Sequence, residues 1–428
     1  MELVRTTGLA GRRGRARIAA LVDRRQAMDR RVTPAVERIL NAVRSHGDRG
    51  LRQFAAKFDG LSPTQPLLIP EAELQAALAA IPTSLRQALE TAALNIRAFA
   101  QRQMPANWDF EPVPGLSVGQ RVRPLASVGC YVPSGRHPLP STLLMTVIPA
   151  QVAGVARIVV VSPRPADETL AAAALLEIKE FYRIGGAQSI AALAYGTPSI
   201  PRVDKIVGPG NAYVTAAKKL VSANGDAAID MLAGPTEILV TSEHGAPAEI
   251  AADLVAQAEH DPESIAIFIT ATPSLAKQVI AEAKQQARSN PIAALSLARN
   301  GVAIVASSIE EARTITNLLA GEHLTVDDPR DLSWVRHAGS VFIGRYSPQP
   351  MGDYVSGPNH TLPTGGQARL RGGLSVHDYL KLITVQQYTA EGLATLAPAA
   401  ITLAEAEGLT GHAQAIRARA GSTRGPND

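Results

Sequence analysis

The chain has 428 residues, 46% of them apolar and 19% charged, enough for roughly three domains with well-buried cores. Its 42 Lys and Arg against 38 Asp and Glu leave a net charge of +4, too small an excess for a dedicated polyanion binder. The single Cys130 excludes a disulfide framework and a multi-thiolate zinc cluster, and it suits a reducing cytoplasm.

Residues 1–30 carry Arg12, Arg13, Arg15 and Arg17 but no apolar signal core, and read as a solvated helical arm. From about Arg31 to Phe99 apolar residues recur every three or four positions, as at Val36, Ile39, Leu40 and Val43, which predicts helices. A turn at Gly60 and the Pro-rich LSPTQPLLIP interrupt them. The longest uncharged stretch, Pro138 to Ala156, contains Pro140 and Pro149 and is a poor membrane-spanning candidate.

RIVVVSP (Arg157–Pro163) then predicts a buried parallel strand. Helix TLAAAALLEIKE, strand DKIVG and helix AYVTAAKKLV continue a strand–helix alternation. The alternation restarts at EILVTS (Glu237–Ser242) and runs through SIAIFIT and GVAIVAS to helix SIEEARTITNLLA. Two successive sets of βα units predict an α/β protein with two similar lobes built on parallel sheets. The tail from about Ser375 reads as helical, with GSTRGPND frayed at its end. The expected division is a helical arm (1–30), a first lobe (31–130 with 236–374), a second lobe (131–235) and a C-terminal helical segment (375–428).

Four polar stretches stand out. VAQAEH places Gln257 and His260 three residues apart on one helix face, half of a metal site in reach. AGEHLTV sets Glu322 beside His323 at a helix-to-strand turn, two proton-transfer groups for one cavity. MGDYVSGPNHTLPTGG combines Asp353 and His360 in an irregular segment of the kind that holds site residues. EGLTGH puts Glu407 and His412 between two C-terminal helices. Gln257, His260, Asp353 and His412 are N and O donors without sulfur, a set suited to a substrate-accessible zinc or similar ion. There is no GxGxxG, but RIGGAQS and IVGPGNAYV place glycines between strand and helix, with Gln188 and Asn211 beside them. A third Gly/Pro-rich loop contains Tyr131. Cys130 has no adjacent cation to activate it as a nucleophile.

Taken in order, these stretches resemble the histidinol dehydrogenase family from about Val32 to Arg419. They include VGCYVPSGRHPLPSTLLMTVIPAQVAGV, YRIGGAQSIAALAYGT, KIVGPGNAYVTAAKK, IDMLAGPTEILV, AQAEH, GEHL, GDYVSGPNHTLPTGG and EGLTGH. The resemblance implies two Rossmann-like lobes, the first carrying most of the metal site and the second taking NAD, with terminal helical segments used in dimerisation. It implies oxidation of L-histidinol to L-histidine through L-histidinaldehyde, with two NAD⁺ used in turn. One zinc per subunit would be held by Gln257, His260 and Asp353 of one chain and His412 of the other, in a homodimer with shared sites. His323 would take the hydroxyl proton and Glu322 would activate water. Thr236, His360 and Glu407 fall with the metal ligands and His323 at substrate-contacting positions, while Tyr131, Gln188 and Asn211 fall at NAD-contacting ones. A cytoplasmic enzyme with no nucleic-acid or membrane partner follows.

Three departures from the family pattern are Thr236 for Ser, Gln349 for Glu, and Ser134 for Gly. The second removes a negative charge and keeps open a related alcohol dehydrogenase acting on another polar alcohol. A zinc hydrolase lacks HExxH here and leaves the glycine turns unexplained. A non-enzymatic NAD- or RNA-binding protein has no use for Glu322 and His323.

Overall fold

The computed structural model describes residues 1–24, 32–134, 138–232 and 234–420, so the expected frayed end (421–428) lies outside the described residues. In chain order the strands are β1 (Glu2–Arg5), β2 (Trp108–Val113), β3 (Leu116–Pro124), β4 (Ser127–Tyr131), β5 (Arg157–Val161), β6 (Glu180–Tyr182) and β7 (Lys205–Val207). They continue as β8 (Ala228–Ile229), β9 (Glu237–Thr241), β10 (Ile265–Thr270), β11 (Val302–Val305), β12 (His323–Val326), β13 (Ser340–Ile343) and β14 (Leu380–Tyr388).

The chain separates into two compact units. The larger comprises Met1–Gln103 and Leu125–Tyr379 and holds two parallel sheets. One runs β6-β5-β4-β7-β8, the other β1-β11-β10-β9-β12-β13. Numbered within each series, both follow the order 3-2-1-4-5, and the larger sheet adds β1 at its edge. The β-branched runs EILVT, IAIFIT and VAIV are almost wholly buried, as strands covered on both faces must be. Ala251, Leu254, Ala276 and Val279 pack one face of the larger sheet, and Ile18, Leu21, Ala312 and Ile315 the other.

The smaller unit comprises Met104–Pro124 and Leu380–Asp428. Its antiparallel sheet runs β14-β3-β2, and the helices Ala390–Ala406 and Thr410–Ala420 pack on each other.

The expected division shifts in three places. Residues 2–5 are not a solvated arm but an edge strand parallel to β11, with Val4 buried; four residues are too few to show a period. The helices Thr33–His46 and Asp48–Asp59 pack on the smaller parallel sheet, sharing a core with Val159, Val161 and Tyr182, rather than on the sheet of 236–374. An apolar stripe says that a helix is covered, not by what. The tail after Ser375 begins with the nine-residue strand β14, whose side chains are nearly all exposed and so carry no in–out alternation. No helix among the described residues is long and apolar enough to cross a membrane.

Candidate active site

The first polar cluster lies at the amino edge of the larger sheet, where β9 and β12 start. The helix Ile309–Leu319 ends at Ala320 in the left-handed region (φ 49°), an unusual backbone for alanine, and the chain then enters β12 through Glu322. His323 opens β12, opposite Ile238 of β9 and Ser340 of β13. Glu322 and His323 are 6% and 3% exposed, so both work in a low-dielectric setting.

Glu322 Oε2 accepts hydrogen bonds from Thr236 Oγ1 at 2.5 Å and from the Glu237 N–H at 2.7 Å. The Gln257 amide donates to the same Thr236 hydroxyl. That hydroxyl therefore accepts from Gln257 and donates to Glu322, both at once. His323 Nδ1 lies 3.1 Å from the Glu237 carbonyl. A carbonyl only accepts, so Nδ1 carries the proton. Nε2 is left buried without a hydrogen-bond partner, 3.5 Å from Asp353 Oδ1. It is the ring's free basic atom.

Burial pushes the Glu322 carboxyl up to about 7, against the pull of His323, Thr236 and the Glu237 N–H. Burial favours a neutral His323 ring, yet Glu322 and then Asp353 outweigh it and raise that pKa above the usual value. Asp353 is held below the usual carboxylate range: burial opposes ionisation, but His323 overcomes it, helped by His360 and Gln349. Burial thus tunes the Glu322 carboxyl toward neutrality, where proton transfer is most effective.

Asp353 sits on the short helix Gln349–Tyr354, and the buried Gln349 donates its amide to Asp353 Oδ2 at 2.8 Å. A carboxylate at Gln349 has no N–H to give. The residue that departs from the family pattern therefore holds Asp353 in place. His360 Nδ1 bonds the Asp353 carbonyl at 2.8 Å and its Nε2 lies 3.3 Å from Thr142 Oγ1, while burial lowers its pKa. His323, Ser340, Phe342, Asp353 and His360 line a cavity of about 360 Å³, room for a small polar substrate.

Gln257 is fully buried in the last turn of the helix Pro247–Ala258, and its Oε1 has no hydrogen-bond partner. With its amide spent on Thr236, that orphaned oxygen is available to a ligand. His260 follows the same helix and is exposed. Among the described residues no three His, Cys, Asp or Glu side chains converge as a complete metal cluster. An orphaned amide oxygen, an imidazole and a carboxylate still form a donor set that zinc accepts. Glu407 and His412 belong to the smaller unit, where both are exposed.

The second cluster lies at the carboxyl edge of the smaller sheet, at the switch point between β4 and β7. Tyr131 ends β4 and its hydroxyl accepts from the Gly186 N–H at 3.3 Å. Gln188, on the helix Gly186–Tyr195, donates to Asp59 Oδ2 at 3.0 Å, which also accepts from the Gly185 N–H. Asn211 caps the helix Ala212–Ala223, accepting from the Tyr213 and Val214 N–H groups. Gly208, before it, has φ +109°, and a Cβ there would lie 2.2 Å from the Tyr131 carbonyl oxygen. Only glycine lets the two loops approach so closely. Open α/β sheets take dinucleotides at this place.

Sequence reasoning missed Asp59, Thr142 and above all Glu237, whose backbone holds both Glu322 and His323. One signal for Glu237 existed: an ionisable residue opening a buried β-branched run is anomalous.

The family model for histidinol dehydrogenase matches residues 22–420. The chain belongs to the histidinol dehydrogenase family. It is 46% identical over 398 residues to the histidinol dehydrogenase of a Synechococcus strain, covering 90% of this chain and 91% of the other. It is 45% identical over 417 residues to that of Methanothermobacter thermautotrophicus, covering 94% and 97%. The crystal structure of histidinol dehydrogenase from Elizabethkingia anophelis matches with a TM-score of 0.91 at 35% identity, covering 98% of each chain. Histidinol dehydrogenases are NAD-dependent oxidoreductases of the final steps of histidine biosynthesis, and this chain is one of them by family.

Proposed function

We propose that the protein oxidises L-histidinol to L-histidine through L-histidinaldehyde, passing two hydrides in turn to two NAD⁺ per turnover. The observation that carries this reading is the Glu322–His323 pair, two adjacent buried groups, with His323 and Asp353 lining one cavity and the unpartnered His323 Nε2 3.5 Å from Asp353 Oδ1. In the first oxidation Nε2 takes the proton of the substrate hydroxyl as hydride leaves its carbon. In the second, Glu322 accepts a proton from the water that adds to the aldehyde, and the Thr236 hydroxyl steadies the carboxylate meanwhile. His323 and Glu322 thus divide the two steps.

Gln257, His260 and Asp353 would hold one zinc ion per subunit together with His412 of a second copy, and Thr236, His360 and Glu407 would contact the substrate. When bound, zinc would supply a Lewis-acidic anchor for the imidazole and amino nitrogens of the substrate. Tyr131, Gln188 and Asn211 would receive NAD⁺, the hydride acceptor, at the switch point of the smaller sheet, making the two sheets the centres of two Rossmann-like lobes. The homodimer is supported by the smaller unit itself. Trp108, Phe110, Leu382, Ile383, Val385 and Tyr388 are large apolar side chains exposed on its sheet, and clustered exposed apolar residues mark association surfaces. A cytoplasmic setting agrees with the lone reduced cysteine.

The test is NADH formed per L-histidinol consumed, with and without a chelator. Two NADH per molecule, lost on chelation and restored by zinc, is the expected result. One NADH with aldehyde released, or full activity in protein shown by elemental analysis to be metal-free, refutes it.

A further inference from the structure

The larger unit contains an ion pair that the chemistry above does not use. Arg24 follows the helix Gly11–Val22, and Glu237 opens β9. The pair is bidentate: Arg24 Nε meets Glu237 Oε1 and Nη2 meets Oε2, each at 2.7 Å. Their side chains are 8% and 2% exposed. Arg24 also donates to the carbonyls of Leu21 at 2.6 Å and Leu319 at 2.8 Å, the latter ending the helix that leads to Glu322. Glu237 Oε1 accepts in addition from the Gly365 N–H at 3.0 Å, in the irregular segment that carries Asp353 and His360.

Such a pair is weak as a source of stability, because desolvating two ions offsets most of their attraction. Its place explains it better. The Glu237 N–H holds the Glu322 carboxylate and the Glu237 C=O holds the protonated Nδ1 of His323. A side chain held by three hydrogen bonds, two from Arg24 and one from Gly365, restrains the backbone that carries it. We propose that Arg24 is a positioning residue for the oxidation: its fork clamps Glu237, and the clamped Glu237 backbone orients Glu322 and His323 together. The proposal rests on the roles given to those two residues above. Arg24 touches neither substrate nor cofactor and acts through Glu237, as outer groups orient inner ones at other sites.

The test uses the full-length enzyme with its metal. Arg24→Lys keeps the charge and loses the fork. Arg24→Met leaves a buried carboxylate unpaired and can fail to fold, so the neutral double variant Arg24→Met/Glu237→Gln accompanies it. In both Arg24→Lys and the double variant, kcat per folded chain should fall about 10- to 100-fold in both half-reactions, with the lysine variant the less affected. KM for histidinol should stay within about twofold, since ground-state binding is not what the clamp serves. The ring-¹⁵N spectrum of His323, assigned with His323→Asn, should lose its single Nδ1–H tautomer. A merely structural pair would lower the melting temperature and leave kcat per folded chain and the ring spectrum unchanged, and that result overturns the clamp. Glu322→Gln and His323→Asn serve as controls. If they keep full rates the catalytic reading fails, and the ring spectrum alone then decides whether Arg24 orients His323.

Discussion

Glu322→Gln should make the enzyme worse at one half of its reaction and the fold more stable, with both effects set by the same buried carboxyl. Burial lifts that group from an ordinary value of 4.5 to about 7. The gap corresponds to at most about 3 kcal/mol. The folded state holds the proton more tightly than the unfolded state does. Stability is therefore fullest below the ordinary value, falls as pH rises from there to about 7, and stays low beyond it. Glutamine carries no charge and escapes this loss. The variant should melt above the wild type at alkaline pH, with the advantage shrinking toward acid. Oxidation of histidinaldehyde should drop about 10²- to 10⁴-fold, the range for a lost general base, while oxidation of histidinol falls much less. In the wild type the aldehyde step should rise with pH through about 7, as the base loses its proton. Stopped-flow measurement of each half-reaction and calorimetry across the pH range read both effects. Equal losses in the two half-reactions, or a melting difference that does not change with pH, would refute the reasoning.

Cys130 is fully buried and its thiol is pushed up to about 12 by burial, so native protein should resist a thiol reagent at mildly alkaline pH and react once unfolded. Cys130→Ala should keep the rate of both half-reactions, and loss of aldehyde oxidation alone would return the thiol to the mechanism. Mixing inactive His323→Asn chains with inactive His412→Asn chains should restore activity, because half the sites of a mixed dimer would then receive both native histidines. No recovery after exchange, verified by native mass spectrometry, would place His412 in its own chain's site.

The βα alternation of the larger unit was legible because its signals are local. EILVT and IAIFIT are runs that only a doubly covered strand tolerates, and the helices between them carry regular apolar stripes. Partnership was not legible. The stripe of Val36, Ile39, Leu40 and Val43 fits either sheet, and what decides is where Val159 and Tyr182 lie in space. β14 escaped for the opposite reason: Leu380–Tyr388 is rich in β-branched residues but has no buried face to impose an alternation.

The site divides along the same line. Glu322, His323 and Asp353 could be picked out because a titratable side chain beside a glycine is conspicuous, and Gln257 because it shares a helix face with His260; the structure brings all four into one hydrogen-bonded and ion-paired set through Thr236. Their orientation is the work of groups that sequence does not display. The His323 tautomer is chosen by a carbonyl of Glu237, Glu322 is held by the N–H of the same residue, and His360 is tied to the carbonyl of Asp353. Every residue has these backbone groups, so nothing in a composition or spacing marks the ones that matter. What marks Glu237 is its misplaced charge at the head of a buried strand, and what makes that charge tolerable is Arg24, more than two hundred positions earlier. Chemistry was therefore readable from side-chain type, whereas the geometry that makes the chemistry effective depends on peptide groups locked by a distant ion pair.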